Sequence, residues 1–239
     1  MLSLLEQWDC PLVFLGDIME LWIGLPGFQS PAQEYFLSWC RRESRRRRIL
    51  FLEGNHEFFV SSEHGDSFSG VGGDLFRESG VYLTHGDQIA ASPSHLWFRR
   101  WSKGRLARFL LRFLPFSRSI VRLLKSQLEK RGRKRARFFP SQAIVSWGKA
   151  VKAAETPCPR ALLMGHFHRS FQLRFSDGTL LAALPAWKDH GEVALYFPRQ
   201  NRLLFRNWRD LSPYLPKPDG KSQATPKTKS KYGQEHSAP

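Results

Sequence analysis

Seven residues of this 239-residue chain could do chemistry together, and they fall in four short turns. Asp17 follows Gly16. Asn55, His56 and Glu57 follow Gly54. His85 opens His85-Gly86-Asp87, and two further imidazoles lie in Gly165-His166-Phe167-His168. A carboxylate at a strand end can bridge two divalent cations, because its oxygens span the about 3.5–4 Å between ions in two-metal sites. Neutral imidazoles such as His85, and the amide oxygen of Asn55, are the natural further ligands. His56 can sit over a substrate as an acid or a charge stabiliser, and Glu57 can orient that ring by accepting from its second nitrogen. Histidines two apart on an extended segment project to one side, so His166 and His168 can each reach one of two adjacent ions. Singly, each turn has an ordinary reading as a loop aspartate, a Gly-Asn turn or a hydrogen-bonded histidine. In order, each behind an apolar run, they point to a metal-dependent hydrolase.

The runs that must position them are Leu12–Leu15, Ile49–Leu52, Val81–Leu83 and Ala161–Met164. Each is a short apolar block closed by a turn signal, the pattern of a buried strand. Four such strands place one convergent site at the rim of a sheet. Residues 2–8 read as the end of an amphipathic helix, and residues 31–43 have helical spacing with Pro31 suited to a first turn. After the last histidine the pattern becomes strand-like. Phe171–Phe175 and Thr179–Leu184 flank Ser176-Asp177-Gly178, a hairpin signal, and Glu192–Phe197 and Arg202–Trp208 read as two more strands. From Pro216 the composition turns to Lys, Pro, Ser, Gln and Gly, so residues 216–239 are expected to be a disordered tail behind one domain over 1–215.

Composition narrows the classes. The chain is 41% hydrophobic, and no apolar run approaches the roughly 18–20 residues needed to span a bilayer. The first eight residues carry neither a basic n-region nor a small-residue cleavage site, so no signal peptide is expected. Cys10, Cys40 and Cys158 are scattered and odd in number, which favours a reducing, cytoplasmic setting over a disulfide framework.

Charge is concentrated. The chain holds 37 Lys and Arg against 21 Asp and Glu, a net +16. Between His95 and Lys152 there are 17 bases and one acid, Glu129, so that segment alone carries +16 and the rest is neutral. Residues 95–152 therefore read as a basic helical insert. One helix carries Leu106, Phe109, Leu110, Phe113 and Leu114 and is broken by Pro115. A second is expected over Ser117–Lys130 and a third over Ser141–Ala154. The favoured reading is an amphipathic lid whose arginines face anionic headgroups or a diphosphate while its apolar face holds acyl chains. Each base near an anionic membrane contributes about 1 kcal/mol, enough in sum for peripheral attachment. Nucleic acid is the rival partner, above all for the run 130–137, since net charge does not distinguish a phosphodiester backbone from a lipid surface.

The ordered set of turns resembles the calcineurin-like metallophosphoesterase superfamily, whose pattern is D-x-H, G-D, G-N-H-[ED], H and G-H-x-H. The resemblance implies a four-layer α/β/β/α sandwich, two Mn²⁺-like ions, and a bridging hydroxide that attacks phosphorus in line. By motif, Asp17 would bridge the ions, Asn55, His85 and His166 would hold one, and His168 would help hold the other. His56 would stabilise charge developing on the phosphoryl group. Gly16-Asp17-Ile18-Met19-Glu20-Leu21-Trp22-Ile23-Gly24 is similar to the G-D-x-x-E-x-W-I-G stretch of the UDP-2,3-diacylglucosamine pyrophosphatases of lipid A synthesis. His85-Gly86-Asp87, Pro185-Ala186-Trp187 and the basic insert fit that family too, and the likeness covers roughly residues 2–208. It implies hydrolysis of a nucleotide-linked glycolipid to UMP and 2,3-diacylglucosamine 1-phosphate by an enzyme peripheral on the cytoplasmic face of the inner membrane. His56 departs from it, because many of these pyrophosphatases carry arginine there. The start departs as well. No histidine precedes His56, so the opening D-x-H strand is expected to be missing, through a start assigned at an internal methionine, leaving the second ion only Asp17 and His168. Two rivals follow: a phosphodiesterase or nuclease built on the same dinuclear site, and a non-catalytic fragment that binds anionic surfaces.

Overall fold

Ile49, Leu50, Phe51 and Leu52 are all buried, as a parallel strand covered on both faces must be. The protein is described by a computed structural model over residues 2–114 and 139–214, together with Ser119 and Val121. Its first half runs α1 (Leu2–Leu5), β1 (Leu12–Phe14), β2 (Trp22–Ile23), α2 (Pro31–Glu43), β3 (Ile49–Leu52), β4 (Glu57–Phe58), α3 (Val60–His64), β5 (Gly70–Gly72), β6 (Phe76–Glu78) and β7 (Val81–Thr84). The basic segment opens with α4 (Pro93–Ser102) and α5 (Arg105–Phe113). After it come α6 (Ser141–Ala154), β8 (Ala161–Met164), β9 (Phe171–Arg174), β10 (Leu180–Ala183), α7 (Trp187–His190), β11 (Glu192–Phe197) and β12 (Arg202–Asn207).

The strands divide into two main sheets. One is parallel with order β1-β3-β5, and the other is mixed with order β6-β7-β8-β10-β9. Within the second, β7, β8 and β10 are parallel, while β6 and β9 run antiparallel at its edges. Alternate residues of each central strand enter different clusters, as the two-residue period of a strand requires. Ile49 and Phe51 pack with Phe36, Leu37 and Trp39 of α2. Leu50 and Leu52 pack with Leu83, Ala161, Leu163, Leu180 and Ala182 of the second sheet. The opposite faces of β8 and β10, through Leu162, Met164, Leu181 and Ala183, pack with Ile144 of α6. The antiparallel hairpin β11–β12 adds Leu203 to the cluster between the two sheets.

The expected runs at 12, 49, 81 and 161 are all strands, and the helices at 31–43 and 141–154 form over those residues. One expectation is corrected. The four ligand-bearing strands do not share a sheet: β1 and β3 belong to one and β7 and β8 to the other. A buried apolar run reads the same in either sheet, and only long-range pairing distinguishes them.

The basic segment attaches to this body by charge and by apolar contact. Arg99 pairs with Asp87 and Asp74, Lys103 with Glu53, and Arg108 with Glu63. Ala107 is buried with Ile23, Leu25 and Phe59, and Leu111 packs against them. The outer surface carries Trp97, Phe98, Trp101, Leu106, Phe109 and Phe113, all exposed, beside exposed Arg100, Arg105 and Arg112. Leu114, before Pro115, is extended at φ −72° and ψ 131°, as steric conflict with a following proline ring demands. The helix expected over 117–130, the basic run at 130–137 and the expected disorder of 216–239 lie outside the described residues. Among the described residues, no helix is long and apolar enough to cross a membrane.

Phe51 is fully buried, stacks on Phe68 at 4.6 Å between centroids and meets Trp22 edge-on. Phe51→Ala should cost about 3–5 kcal/mol through lost transfer energy and a residual cavity. Urea denaturation will show this as a lower midpoint. Truncating exposed Val71 should stay within about 0.5 kcal/mol.

Candidate metal centre

A parallel sheet brings the carboxyl ends of its strands to one edge, where open α/β sheets bind ligands. Here two such edges meet. Turns leaving β1 and β3 deliver Asp17 and Asn55, and turns leaving β7 and β8 deliver His85 and His166. Asn55 Oδ1 lies 3.1 Å from His85 Nε2 and 3.0 Å from His166 Nδ1. His85 Nε2 lies 3.3 Å from Asp17 Oδ2 and 3.3 Å from His166 Nδ1. Asp17, His85 and His166 thus form a group whose ligand atoms all lie within 4.8 Å of one another.

The donor set fits a divalent cation. His85 Nδ1 donates to the Leu15 carbonyl at 2.6 Å, which fixes the neutral tautomer with its lone pair on Nε2. That lone pair faces a carboxylate oxygen and an amide oxygen, so the three repel unless positive charge sits among them. Burial opposes charge on His85, yet the Asp17 carboxylate against it raises its pKa above the ordinary imidazole value. Asp17 moves the opposite way: burial resists its ionisation, but His85 and His56 hold it well below the usual carboxylate range.

The turns are built around Glu57, which is completely buried. Its Oε2 accepts from the backbone N–H of Asp17 at 2.7 Å and of Gly54 at 2.8 Å, and its Oε1 from Ile18 at 2.7 Å. Burial and the nearby Asp17 carboxylate push its pKa up to about 7, against the pull of those donors and of His85. Asp17 is in the left-handed region at φ 54°, a conformation costing a non-glycine residue about 1–3 kcal/mol unless its surroundings hold it. Two of the three Glu57 bonds, to Asp17 and Ile18, hold it. The Asp17 carboxylate is fixed in turn, with Oδ1 accepting from the His56 backbone N–H at 3.0 Å. Gly16, at φ +81°, and Gly54 pack backbone against backbone. A Cβ on Gly54 would sit 2.3 Å from Asp17 Oδ1 and 2.7 Å from His85 Cε1.

Compared with known proteins, no family model matches the chain. Curated relatives do. It is 26% identical over 200 residues to a UDP-2,3-diacylglucosamine hydrolase of Shewanella loihica, covering 80% of this chain and 81% of the relative. It is 25% identical over 196 residues to one from Shewanella sp. strain MR-4, covering 76% and 78%. A third, from Ectopseudomonas mendocina, is 28% identical over 166 residues, covering 66% and 67%. The chain is similar to the UDP-2,3-diacylglucosamine hydrolases. That similarity bears out the metallophosphoesterase relationship carried by the four turns, and none of the relatives named here is a nuclease.

Two expectations about the hydrolase-like turns are corrected. Glu57 does not orient His56, because its carboxylate is committed to three backbone donors; His56 Nδ1 donates instead to the Glu20 carbonyl. Sequence reasoning missed this because backbone N–H partners leave no mark in residue identity. The last turn is also not an extended segment. His166 and His168 adopt φ 67° and 56°, so the loop rather than a strand period aims them, and His168 is outside the group formed by Asp17, His85 and His166.

Glu57→Gln puts an amide nitrogen against one of those N–H donors. It should weaken binding of Mn²⁺ about 10- to 100-fold, as loss of an outer partner of a metal ligand does. Titration with Mn²⁺ followed by calorimetry measures the change, with circular dichroism reporting that the fold persists.

Proposed function

We propose that this chain is a divalent-metal-dependent hydrolase of UDP-2,3-diacylglucosamine, releasing UMP and 2,3-diacylglucosamine 1-phosphate. The observation that carries the reading is the convergence of Asp17, Asn55, His85 and His166 at 3.0–3.3 Å from four separate turns, in a chain similar to hydrolases of that name. The packing of α2, two sheets and α6 in succession supports a four-layer α/β/β/α sandwich.

Asn55, His85, His166 and one oxygen of Asp17 would hold a first Mn²⁺-like ion, and Asp17 and His168 would contribute to a second. Such ions supply Lewis-acid polarisation of phosphoryl oxygen and a nucleophile at neutral pH. The protein's own part is placement. Leu15 fixes the His85 tautomer, Glu57 fixes the Asp17 turn, and His56, tethered to the Glu20 carbonyl through Nδ1, would offer its other nitrogen to charge on the phosphoryl group.

The outer face of α4 and α5 mixes exposed aromatic residues with Arg100, Arg105 and Arg112. This composition suits an anionic lipid surface, in keeping with a substrate that carries acyl chains and a peripheral location on the cytoplasmic membrane face.

Two measurements test the proposal. EDTA should abolish release of UMP from UDP-2,3-diacylglucosamine and Mn²⁺ should restore it, while His166→Ala should lower the restored rate at least about 100-fold; an undiminished rate overturns the assignment. Sedimentation with phosphatidylglycerol vesicles should carry the protein down. Trp97→Ser and Phe109→Ser should each lower the vesicle partition constant about 10-fold, given about 1.5 kcal/mol or more for a buried aromatic side chain.

A further inference from the structure

The α4–α5 part of the basic segment reaches the metal-centre turns through two cations, Arg99 and Lys103. Arg99 Nε donates to Asp87 Oδ2 at 2.6 Å, and its Nη2 donates to Asp74 Oδ1 at 2.7 Å. The Asp87 side chain is 2% exposed and that of Arg99 19%, so this pair is shielded from solvent and salt. Asp87 is two residues after His85 in the same turn. Lys103, at the junction of α4 and α5, donates to the Gly54 carbonyl at 2.6 Å and lies 3.5 Å from Glu53. Gly54 immediately precedes Asn55, and its own N–H is held by Glu57.

We infer that Arg99 and Lys103 are positioning residues that couple the α4–α5 segment to the ligand turns, Arg99 acting on His85 through Asp87 and Lys103 on Asn55 through Gly54. The inference rests on the metal-centre reading above and adds to it a link between the site and the surface of the insert. Neither cation reaches the ligand atoms. Arg99 anchors the Asp87 side chain of the His85 turn and Lys103 the Gly54 carbonyl of the Asn55 turn, each holding a turn from which a ligand projects, as outer partners of metal ligands do. Coupling between two equilibria is reciprocal, so what holds the segment in place tightens the cation, and the cation steadies the segment. The outward aromatic face lies on the same two helices, so a surface that engages it also reaches the metal centre through these contacts.

The test measures free Mn²⁺ by electron paramagnetic resonance during titration of the full chain, which reads affinity without turnover. Arg99→Gln and Lys103→Met should each weaken Mn²⁺ binding about 10-fold or more. Arg99→Lys should recover part of the loss, since an ammonium can still pair with Asp87. Arg77→Gln, which breaks the exposed pair with Glu155, should leave the affinity as it was. A second measurement needs no variant: amide exchange over residues 93–113 of the unaltered protein should slow when Mn²⁺ is added. Unchanged affinity in both Arg99→Gln and Lys103→Met, with exchange indifferent to Mn²⁺, overturns the coupling while leaving the metal centre intact. An unaltered chain that binds no Mn²⁺ overturns the metal-centre reading and this inference with it.

Discussion

One buried carboxylate organises the rest. Glu57 accepts from three backbone N–H groups drawn from two turns that leave different strands. Burying a carboxylate costs several kcal/mol unless such donors surround it. Once they do, the turns can no longer move independently. Asp17 is held in a left-handed conformation it would not otherwise keep, and Gly16 and Gly54 are forced into contact with no room for a Cβ. The Asp17 carboxylate is therefore placed by peptide groups, with the side chain that arranges them hidden beneath.

That arrangement explains which parts were legible in the sequence. The strands ending at Phe14, Leu52, Thr84 and Met164 announced themselves as apolar runs stopped by turns; for Ile49–Leu52 and Ala161–Met164, buried throughout, burial on both faces leaves no alternation to blur them. The helices at 31–43 and 141–154 were equally plain, from their periodicity and from Pro31 at a first turn. Asp17, Asn55, His85 and His166, which the structure brings together, could be singled out because the capacity to ligate is written in residue type. The task of Glu57 was not, since its partners are amides common to every residue. Nor was the division into two sheets, which depends on pairings such as Val81 with Ala161, far apart in the chain. The strands Trp22–Ile23 and Gly70–Gly72 escaped because two or three residues, some of them glycine, carry no period.

The basic segment illustrates how composition misleads about direction. Seventeen bases against one acid suggested cations turned outward to an anionic partner. Three of them, Arg99, Lys103 and Arg108, instead face acids of the body, and much of what faces solvent is aromatic. A neutral body with acidic residues at its turns is itself the first anionic partner that the segment meets. The arginines left outside, among Trp97, Phe109 and Phe113, form a mixed surface rather than a purely cationic one.

The group formed by Asp17, Asn55, His85 and His166 also draws on both sides of the inner core. Asn55 and His166, 3.0 Å apart in space, are separated by 111 residues of chain, and they project from strands of different sheets. A cation held between them would act as a rivet through the molecule, closing a loop as long as many disulfides close. Chelation would then loosen the seam between the halves as well as silence the reaction, so the ion would serve as architecture before it serves as reagent.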